Sequence, residues 1–166
     1  MTYIRGVSIL RRFQGPNIRV PPFFFLGGFL LGLLLESFRR ITLADASDAV
    51  RTVQKAGWVV ALLGLALSAW GLLTFQLAGT TWLPFESASR LVQHGPYRFT
   101  RNPMYVGAVL LYMGVALVMN VAWPLLLLPF VIWGMVVFVI REEEKYLSAT
   151  FGADYDAYRK RVRRWI

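Results

Sequence analysis

The fold is decided by one long apolar stretch, residues 102–140, which reads NPMYVGAVLLYMGVALVMNVAWPLLLLPFVIWGMVVFVI. It is about twice as long as the roughly 20 residues that one transmembrane helix needs. The segment MNVAWP (119–124) interrupts it, because Asn120 favours a turn and Pro124 disfavours helical backbone in the residue before it. The stretch therefore predicts two membrane helices joined by a tight turn.

Two further apolar segments precede this hairpin: FFFLGGFLLGLLLESF, directly after Pro22, and AGWVVALLGLALSAWGLLTFQLAG. Both can span a bilayer, the shorter first one with the help of its flanking residues. Gly27, Gly28 and Gly32 are interpreted as helix-packing positions rather than as a phosphate-binding loop. We expect an all-α, polytopic membrane helical bundle with transmembrane segments at about 22–38, 56–79, 103–119 and 122–141.

The composition agrees with a membrane protein. Of 166 residues, 57% are apolar and 16% are charged, whereas soluble domains carry about a quarter charged residues. One compact bundle is expected at this length, so we predict that residues 1–166 form a single domain. The sequence contains no cysteine, which excludes disulfides, thiolate metal sites and cysteine nucleophiles.

The charge pattern predicts the topology. The chain has 18 Lys and Arg against 9 Asp and Glu, a net charge of +9. Because the basic residues flank apolar segments, we expect contact with the lipid bilayer and no nucleic-acid partner. Fourteen of them lie on the side of the termini and four between the first two helices. This bias predicts a multi-pass protein with both termini in the cytoplasm. We also expect a bacterial type of inner membrane, and no cleavable signal peptide, because the N-terminal apolar run is too short and is broken by four arginines.

The C-terminal segment, residues 142–166, is too polar to cross a membrane. We expect the fourth helix to continue out of the bilayer to about Thr150, a break at Gly152 and then a second helix. Its aromatic and apolar residues stand on a basic background, which is typical of a segment lying on the membrane surface with aromatic rings at head-group level. These residues are Tyr155, Tyr158, Val162 and Trp165.

Polar chemistry is concentrated at the entrance to the third helix, in HGPYRFTRNPMYVG (94–107). Asn102 and Pro103 form a helix start, where the asparagine side chain can accept from a free backbone N–H. His94, Arg98 and Arg101 add donors beside the positive end of the helix, so an anion is the expected occupant. Alternatively, the arginines contact lipid phosphate only.

A second polar cluster, REEEKYL (141–147), lies where the fourth helix leaves the membrane. Three carboxylates at this end oppose the helix dipole, which indicates a cationic partner. The alternative is an ion pair with Arg98, Arg101 or Arg141. A helical hairpin would bring this exit beside the entrance of the third helix, and both clusters would then share one cytoplasmic pocket.

The expected ligand of that pocket carries a carboxylate, an ammonium and a second cationic centre. S-adenosylmethionine has this character, and Tyr97 and Tyr105 can offer aromatic faces to its sulfonium. A zwitterionic lipid head group presents the same charges. We expect no metal, because there is no HExxH motif and the single histidine, His94, cannot build a metal site alone.

The two motifs together, LVQHGPYRFTRNPMYVG (91–107) and EEEKYLSATFGADYDAYRKRVRRWI (142–166), resemble the isoprenylcysteine carboxyl methyltransferase and phospholipid methyltransferase group of integral membrane enzymes. The resemblance implies a helical enzyme without a Rossmann domain. It also implies that S-adenosylmethionine lies in a cytoplasmic pocket closed by the C-terminal segment, and that a lipophilic methyl acceptor arrives from the bilayer.

The same resemblance implies the site residues. The family's paired acids correspond to Glu143 and Glu144, with Glu142 an extra acid, and the catalytic candidates are Arg101, Glu143 and Glu144. If the acceptor is an amine or a phenol, Glu143, Glu144 or His94 would take its proton. The implied cofactor-binding residues are His94, Gly95, Tyr97, Arg101, Asn102, Tyr105, Glu143 and Glu144.

Two other functions fit part of the pattern. A membrane enzyme similar to sterol reductases shares an arginine-bearing motif but uses NADPH, whose phosphates need further basic residues and gain nothing from three acids. The other alternative is a lipid-binding membrane protein without enzymatic activity.

Overall fold

The computed structural model describes residues 22–79 and 90–166, so the N-terminal arginines and the start of the connection after the second helix lie outside the described residues. Where it is described, the chain is helical, with one isolated bridge between Thr42 and Val121. The helices are α1 (Pro22–Phe38), α2 (Ser47–Leu77), α3 (Pro103–Met119), α4 (Trp123–Met135), α5 (Arg141–Phe151) and α6 (Ala153–Arg161), with a 3₁₀ turn at Gly95–Arg98 and a π turn at Val136–Ile140.

All four predicted apolar segments are helices. The helix that contains the predicted second segment is longer than that segment: α2 begins at Ser47, nine residues before position 56, because the residues in between are polar but still compatible with a helix. Two helices are long and apolar enough to cross a membrane, Ser47–Leu77 and Trp123–Phe151, and two shorter apolar helices accompany them, Phe23–Phe38 and Pro103–Met119. The second long helix ends where the sequence predicts, at Gly152, whose φ is +51°.

Large apolar side chains point outward along these helices. Water would disfavour so much exposed apolar surface, whereas lipid accommodates it. The architecture is that of a membrane helical bundle. Outward-facing residues include Phe23, Leu34, Trp58, Leu62, Phe130 and Trp133.

Helices α2 and α3 pack through glycines at very short distance. A Cβ atom built on Gly64 would lie 2.5 Å from the backbone nitrogen of Leu111, and one on Gly114 would lie 2.4 Å from that of Ala61. Backbones approach this closely only where side chains are small. The sequence shows the pattern as glycines seven residues apart, at positions 57, 64 and 71 of α2 and 107 and 114 of α3.

The glycines predicted to pack in α1 divide into two groups. Cβ atoms on Gly28 and Gly32 would meet Val131 at 2.2 Å and Pro124 at 2.8 Å, so these two are helix-packing positions as predicted, and the helix they face is α4. Gly27 does not share this contact: a Cβ there would have no neighbour within 4 Å among the residues that the structure describes. One residue along a helix is a rotation of about 100°, which turns Gly27 away from α4.

The predicted turn between the third and fourth helices is confirmed. Asn120 adopts the left-handed conformation (φ 55°, ψ 41°) that ends α3. Its side-chain amide donates to the carbonyl of Ala44 (2.9 Å) and accepts from the N–H of Ala44 (3.1 Å). The α3–α4 turn is thereby joined to the connection between α1 and α2.

Replacing Asn120 with alanine should destabilise the fold by about 3 kcal/mol, since alanine loses both hydrogen bonds and is strained at positive φ. Asn120→Gly removes only the hydrogen bonds and should cost about half as much. Thermal unfolding of the purified protein in detergent, followed by circular dichroism, measures both. Equal melting temperatures for the wild type and Asn120→Ala would contradict this account of the turn.

The surface position predicted for the aromatic residues of α6 was wrong for the two tyrosines. Tyr155 and Tyr158 are 1% and 4% exposed. Both hydroxyls find protein partners: that of Tyr158 donates to the carbonyl of Tyr97 (2.7 Å), and that of Tyr155 accepts from Arg101 (3.2 Å). A buried tyrosine needs such a partner, so the aromatic face of α6 packs against the protein rather than against lipid head groups.

Candidate active site

The polar residues that the sequence places in two separate motifs lie together in the structure. The antiparallel hairpin returns α5 to the entrance of α3, where Tyr105 donates a hydrogen bond to Glu143 and Arg101 forms an ion pair with Glu144. The predicted proximity of the two motifs is confirmed. The 3₁₀ turn and α6 cover the same region.

The segment HGPY (94–97) packs against the end of α2. Gly95 has a φ of +60°, and a Cβ atom there would lie 2.8 Å from Oγ1 of Thr74, so conformation and space both require glycine. Tyr97 is buried and packs edge-on against Phe75, with ring centroids 5.0 Å apart. His94, directly before the turn, is exposed. The turn therefore fixes Tyr97 in the interior and leaves the histidine at the surface.

Arg101 is the buried base of the cluster. Its side chain is 13% exposed. Nη1 forms an ion pair with Oε1 of Glu144 (3.0 Å) and donates a hydrogen bond to the hydroxyl of Tyr155 (3.2 Å). Its Nε is buried and has no hydrogen-bond partner among the described residues. An unpaired buried donor is costly, so the hydrogen-bonding capacity of this nitrogen is left unused by the described residues.

The three acids of the motif have different surroundings. Glu144 binds Arg101 and also Arg164, whose Nε and Nη2 donate to its two oxygens at 2.9 and 2.6 Å. The pairing with Arg101 that the sequence left open as an alternative is therefore present for this residue. Glu142 is exposed and pairs with Lys145 at 2.6 Å. Glu144 is thus neutralised by two bases, and Glu142 belongs to the surface.

Glu143 is the acid for which the described residues supply no base. It accepts from the hydroxyl of Tyr105, and the described part of the chain records no ion pair for it. Burial raises the pKa of Glu143 to about 7, with Glu144 adding to the rise and the hydrogen bond from Tyr105 opposing it. A cation placed beside this carboxylate would favour its charged form.

Asn102 begins α3 as predicted, but the capping bond predicted for its side chain is not formed. Its Nδ2 instead donates to the carbonyl of Arg164 (3.0 Å), which also accepts from Oγ1 of Thr100 (3.0 Å). The C-terminal residues compete for the asparagine because their carbonyls need donors. Sequence reasoning missed Thr100 and Arg164, and the only signal for the latter was a terminal run of bases.

The cluster can bind a ligand that carries both signs of charge. Arg101 offers an unused donor, Glu143 offers a carboxylate without a base, and the rings of Tyr97 and Tyr105 lie nearby. Within residues 22–79 and 90–166, no group of three or more His, Cys, Asp or Glu is placed to hold a metal ion.

Comparison with known proteins adds independent findings. A family model described as phospholipid methyltransferase matches residues 53–154, more than half of the chain. Two relatives named protein-S-isoprenylcysteine O-methyltransferase are each 36% identical. The one from Schizosaccharomyces pombe matches over 72 residues, 43% of this chain and 30% of the relative. The one from Saccharomyces cerevisiae matches over 77 residues, 46% and 32%. The chain spans about a third of their length. No solved structure matches.

Proposed function

Because the chain belongs to the phospholipid methyltransferase family, we propose that it transfers a methyl group from S-adenosylmethionine to a lipophilic acceptor that partitions into the membrane. The observation that carries the proposal is the contrast between the two adjacent acids. Glu144 is neutralised by Arg101 and Arg164, whereas Glu143 is partly buried and has a tyrosine hydroxyl, but no base, as its recorded partner among the described residues. A partly buried carboxylate without a base is suited to a cationic ligand.

The residues present fit this cofactor. Its carboxylate matches the unused buried Nε of Arg101, and one of its cationic centres matches Glu143. We propose that the remaining implied residues complete the binding site, with the exposed His94 at its rim. The set is His94, Gly95, Tyr97, Arg101, Asn102, Tyr105, Glu143 and Glu144.

When bound, S-adenosylmethionine supplies a methyl group attached to a positively charged sulfur. The protein's own contribution is to hold the acceptor in line and to exclude water, which together account for much of the rate of such a displacement. If the acceptor is an amine or a phenol, Glu143 is the best-placed group to take its proton, because its pKa lies near 7. A carboxylate acceptor needs no base.

The acceptor is proposed to be lipophilic because the helices that carry the site expose apolar side chains all the way to it. Trp133 and Phe138, on the helical turns before Glu143, are 63% and 50% exposed. A membrane-partitioning molecule can approach along such a surface without entering water. We also propose that both chain termini lie in the cytoplasm, where a water-soluble cofactor is available.

Calorimetric titration of the purified protein in detergent tests the function. We expect binding of S-adenosylmethionine and S-adenosylhomocysteine and none of NADPH. Binding of NADPH without a response to the two methionine-derived ligands would overturn the proposal and favour a reductase. Transfer of labelled methyl groups to a membrane lipid extract would then identify the acceptor class.

Cofactor affinity should depend on pH through Glu143. Since this acid has a pKa of about 7, its charged form is lost as the pH falls through 7, and affinity for a cationic ligand should fall by up to about tenfold for each pH unit below that. Above pH 7 the affinity should reach a plateau. Titrations across this range measure the profile, and Glu143→Gln should flatten it. An unchanged profile in that variant would assign the titration to another group.

A further inference from the structure

The last residues of the chain lie across the loop that carries Arg101. The carbonyl of Arg163 accepts from the backbone N–H of Arg101 at 2.9 Å. The carbonyl of Arg164 accepts from Thr100 and Asn102, each at 3.0 Å. This segment is therefore joined to the start of α3 by three hydrogen bonds, and its backbone position is defined independently of any arginine side chain.

The side chain of Arg164 points in the opposite direction, toward α5. Its guanidinium binds both oxygens of Glu144, at 2.9 and 2.6 Å, and its side chain is 33% exposed. A bidentate pair of this kind fixes the orientation of the carboxylate as well as its position. Glu144 is thereby held by two elements that are distant in sequence, the C-terminal segment and the loop before α3.

This arrangement leaves Arg101 only partly used. Arg164 bonds both oxygens of Glu144, whereas Arg101 contacts that carboxylate through Nη1, and the Nε of Arg101 has no partner among the residues that the structure describes. If Arg164 were absent, the guanidinium group of Arg101 could turn to bind Glu144 through two nitrogens. That geometry is the one arginine prefers with a carboxylate.

We infer that Arg164 is a positioning residue of the methyl-transfer site: it neutralises and orients Glu144, so that Arg101 and Glu143 remain available to the cofactor. The inference rests on the proposed function. Arg164 touches neither Glu143 nor the reacting atoms in this assignment and acts through Glu144. It lies in the part of the chain whose charge the sequence explained only as attraction to lipid.

The inference predicts a change in pH dependence that a purely structural role would not produce. The titratable groups recorded around Glu143 are Tyr105 of α3, Tyr97 of the 3₁₀ turn and Glu144 of its own helix. Of the charged groups, Glu144 disfavours the charged form of Glu143, and Arg164 offsets Glu144. Removing Arg164 should therefore raise the pKa that controls cofactor affinity, and removing Glu144 should lower it.

The experiment compares Arg164→Gln with Arg163→Gln. The second variant is a matched control, because it removes the same charge from the neighbouring residue, whose side chain is exposed. Binding of S-adenosylmethionine is measured by calorimetry in detergent at several pH values, together with the melting temperature of each variant. For Arg164→Gln we expect about tenfold weaker binding at neutral pH, as for a small displacement of a positioned group. The pH below which its affinity for S-adenosylmethionine falls should rise by about one unit. Arg163→Gln should match the wild type.

Two further variants test the charge and the geometry of the Arg164–Glu144 pair separately. Arg164→Lys restores the charge but not the bidentate geometry, so it should recover the pH profile while leaving binding weaker. Glu144→Gln should shift the profile in the opposite direction from Arg164→Gln. Equal effects of Arg164→Gln and Arg163→Gln, or weaker binding without a shift of the profile, would overturn the inference. Absence of binding in the wild type would instead overturn the proposed function.

Discussion

Leucine in place of Gly64 or Gly114 will prevent α2 and α3 from packing and will abolish the folded bundle. The Cβ atoms would lie 2.4–2.6 Å from backbone atoms of the facing helix, and backbone cannot move aside as a flexible side chain can. Overpacking of ordinary cores already costs about 1–3 kcal/mol, and here a whole helix must be displaced. We expect loss of most of the 5–15 kcal/mol that typically separates folded from unfolded protein.

Gly27→Leu is the matched control, because a Cβ atom at Gly27 meets nothing within 4 Å in the described parts of the chain. It makes the same chemical change in another apolar helix and should leave the melting temperature near that of the wild type. Size-exclusion chromatography and thermal unfolding in detergent compare the three variants. If Gly64→Leu and Gly114→Leu behave like Gly27→Leu, the close contact between α2 and α3 is not formed in solution.

Arg101→Gln will reduce methyl transfer by at least about 100-fold, the loss associated with misplacement of a positioning group. Arg101 combines three roles: its backbone N–H binds the C-terminal segment, Nη1 holds Glu144 and Tyr155, and Nε is the unused buried donor. Glutamine keeps the backbone bond but removes the other two contributions. Lysine should not restore activity, because a point charge cannot reproduce the planar fork of arginine.

Arg98→Gln is the comparison for this prediction. Arg98 is an exposed arginine of the same loop and stacks over the ring of Phe99 at 5.3 Å. If both arginines serve only to attract lipid phosphate, the two substitutions will have similar effects on cofactor affinity and on labelled methyl transfer. A large effect confined to Arg101→Gln separates cofactor binding from general attraction to the membrane.

The parts of the fold that were predictable from sequence depend on local properties. Hydropathy alone marks the four apolar helices, and Asn120 with Pro124 marks the turn between α3 and α4. Once that turn is assigned, geometry requires the end of the fourth helix to lie beside the start of the third, so the proximity of Arg101 to the acids follows. These inferences need no knowledge of which helix faces which.

The remaining features depend on how each helix is rotated about its axis and on which residues its faces contact. The seven-residue spacing of glycines in α2 is visible in the sequence, but it does not show which helix packs against them. The amphipathic pattern of α6 is equally compatible with lipid and with protein, and only the hydroxyl partners of Tyr155 and Tyr158 decide between them. The roles of Glu143 and Glu144 could not be separated from the sequence. Neighbouring residues of a helix point about 100° apart, and the sequence does not show which of the two directions faces the arginines.

The π turn at Val136–Ile140 has a consequence for how the chain tolerates changes in length. In it, the backbone N–H of Arg141 bonds to the carbonyl of Val136, five residues back rather than four, so the turn holds one residue more than a regular helix would. Deleting one residue there restores an ordinary helix and leaves the direction of Glu143 nearly unchanged. A deletion elsewhere between Trp123 and the acids rotates them by about 100°. The loss of one residue is therefore accommodated within this turn, so the length of the helix can change there without changing the orientation of the site.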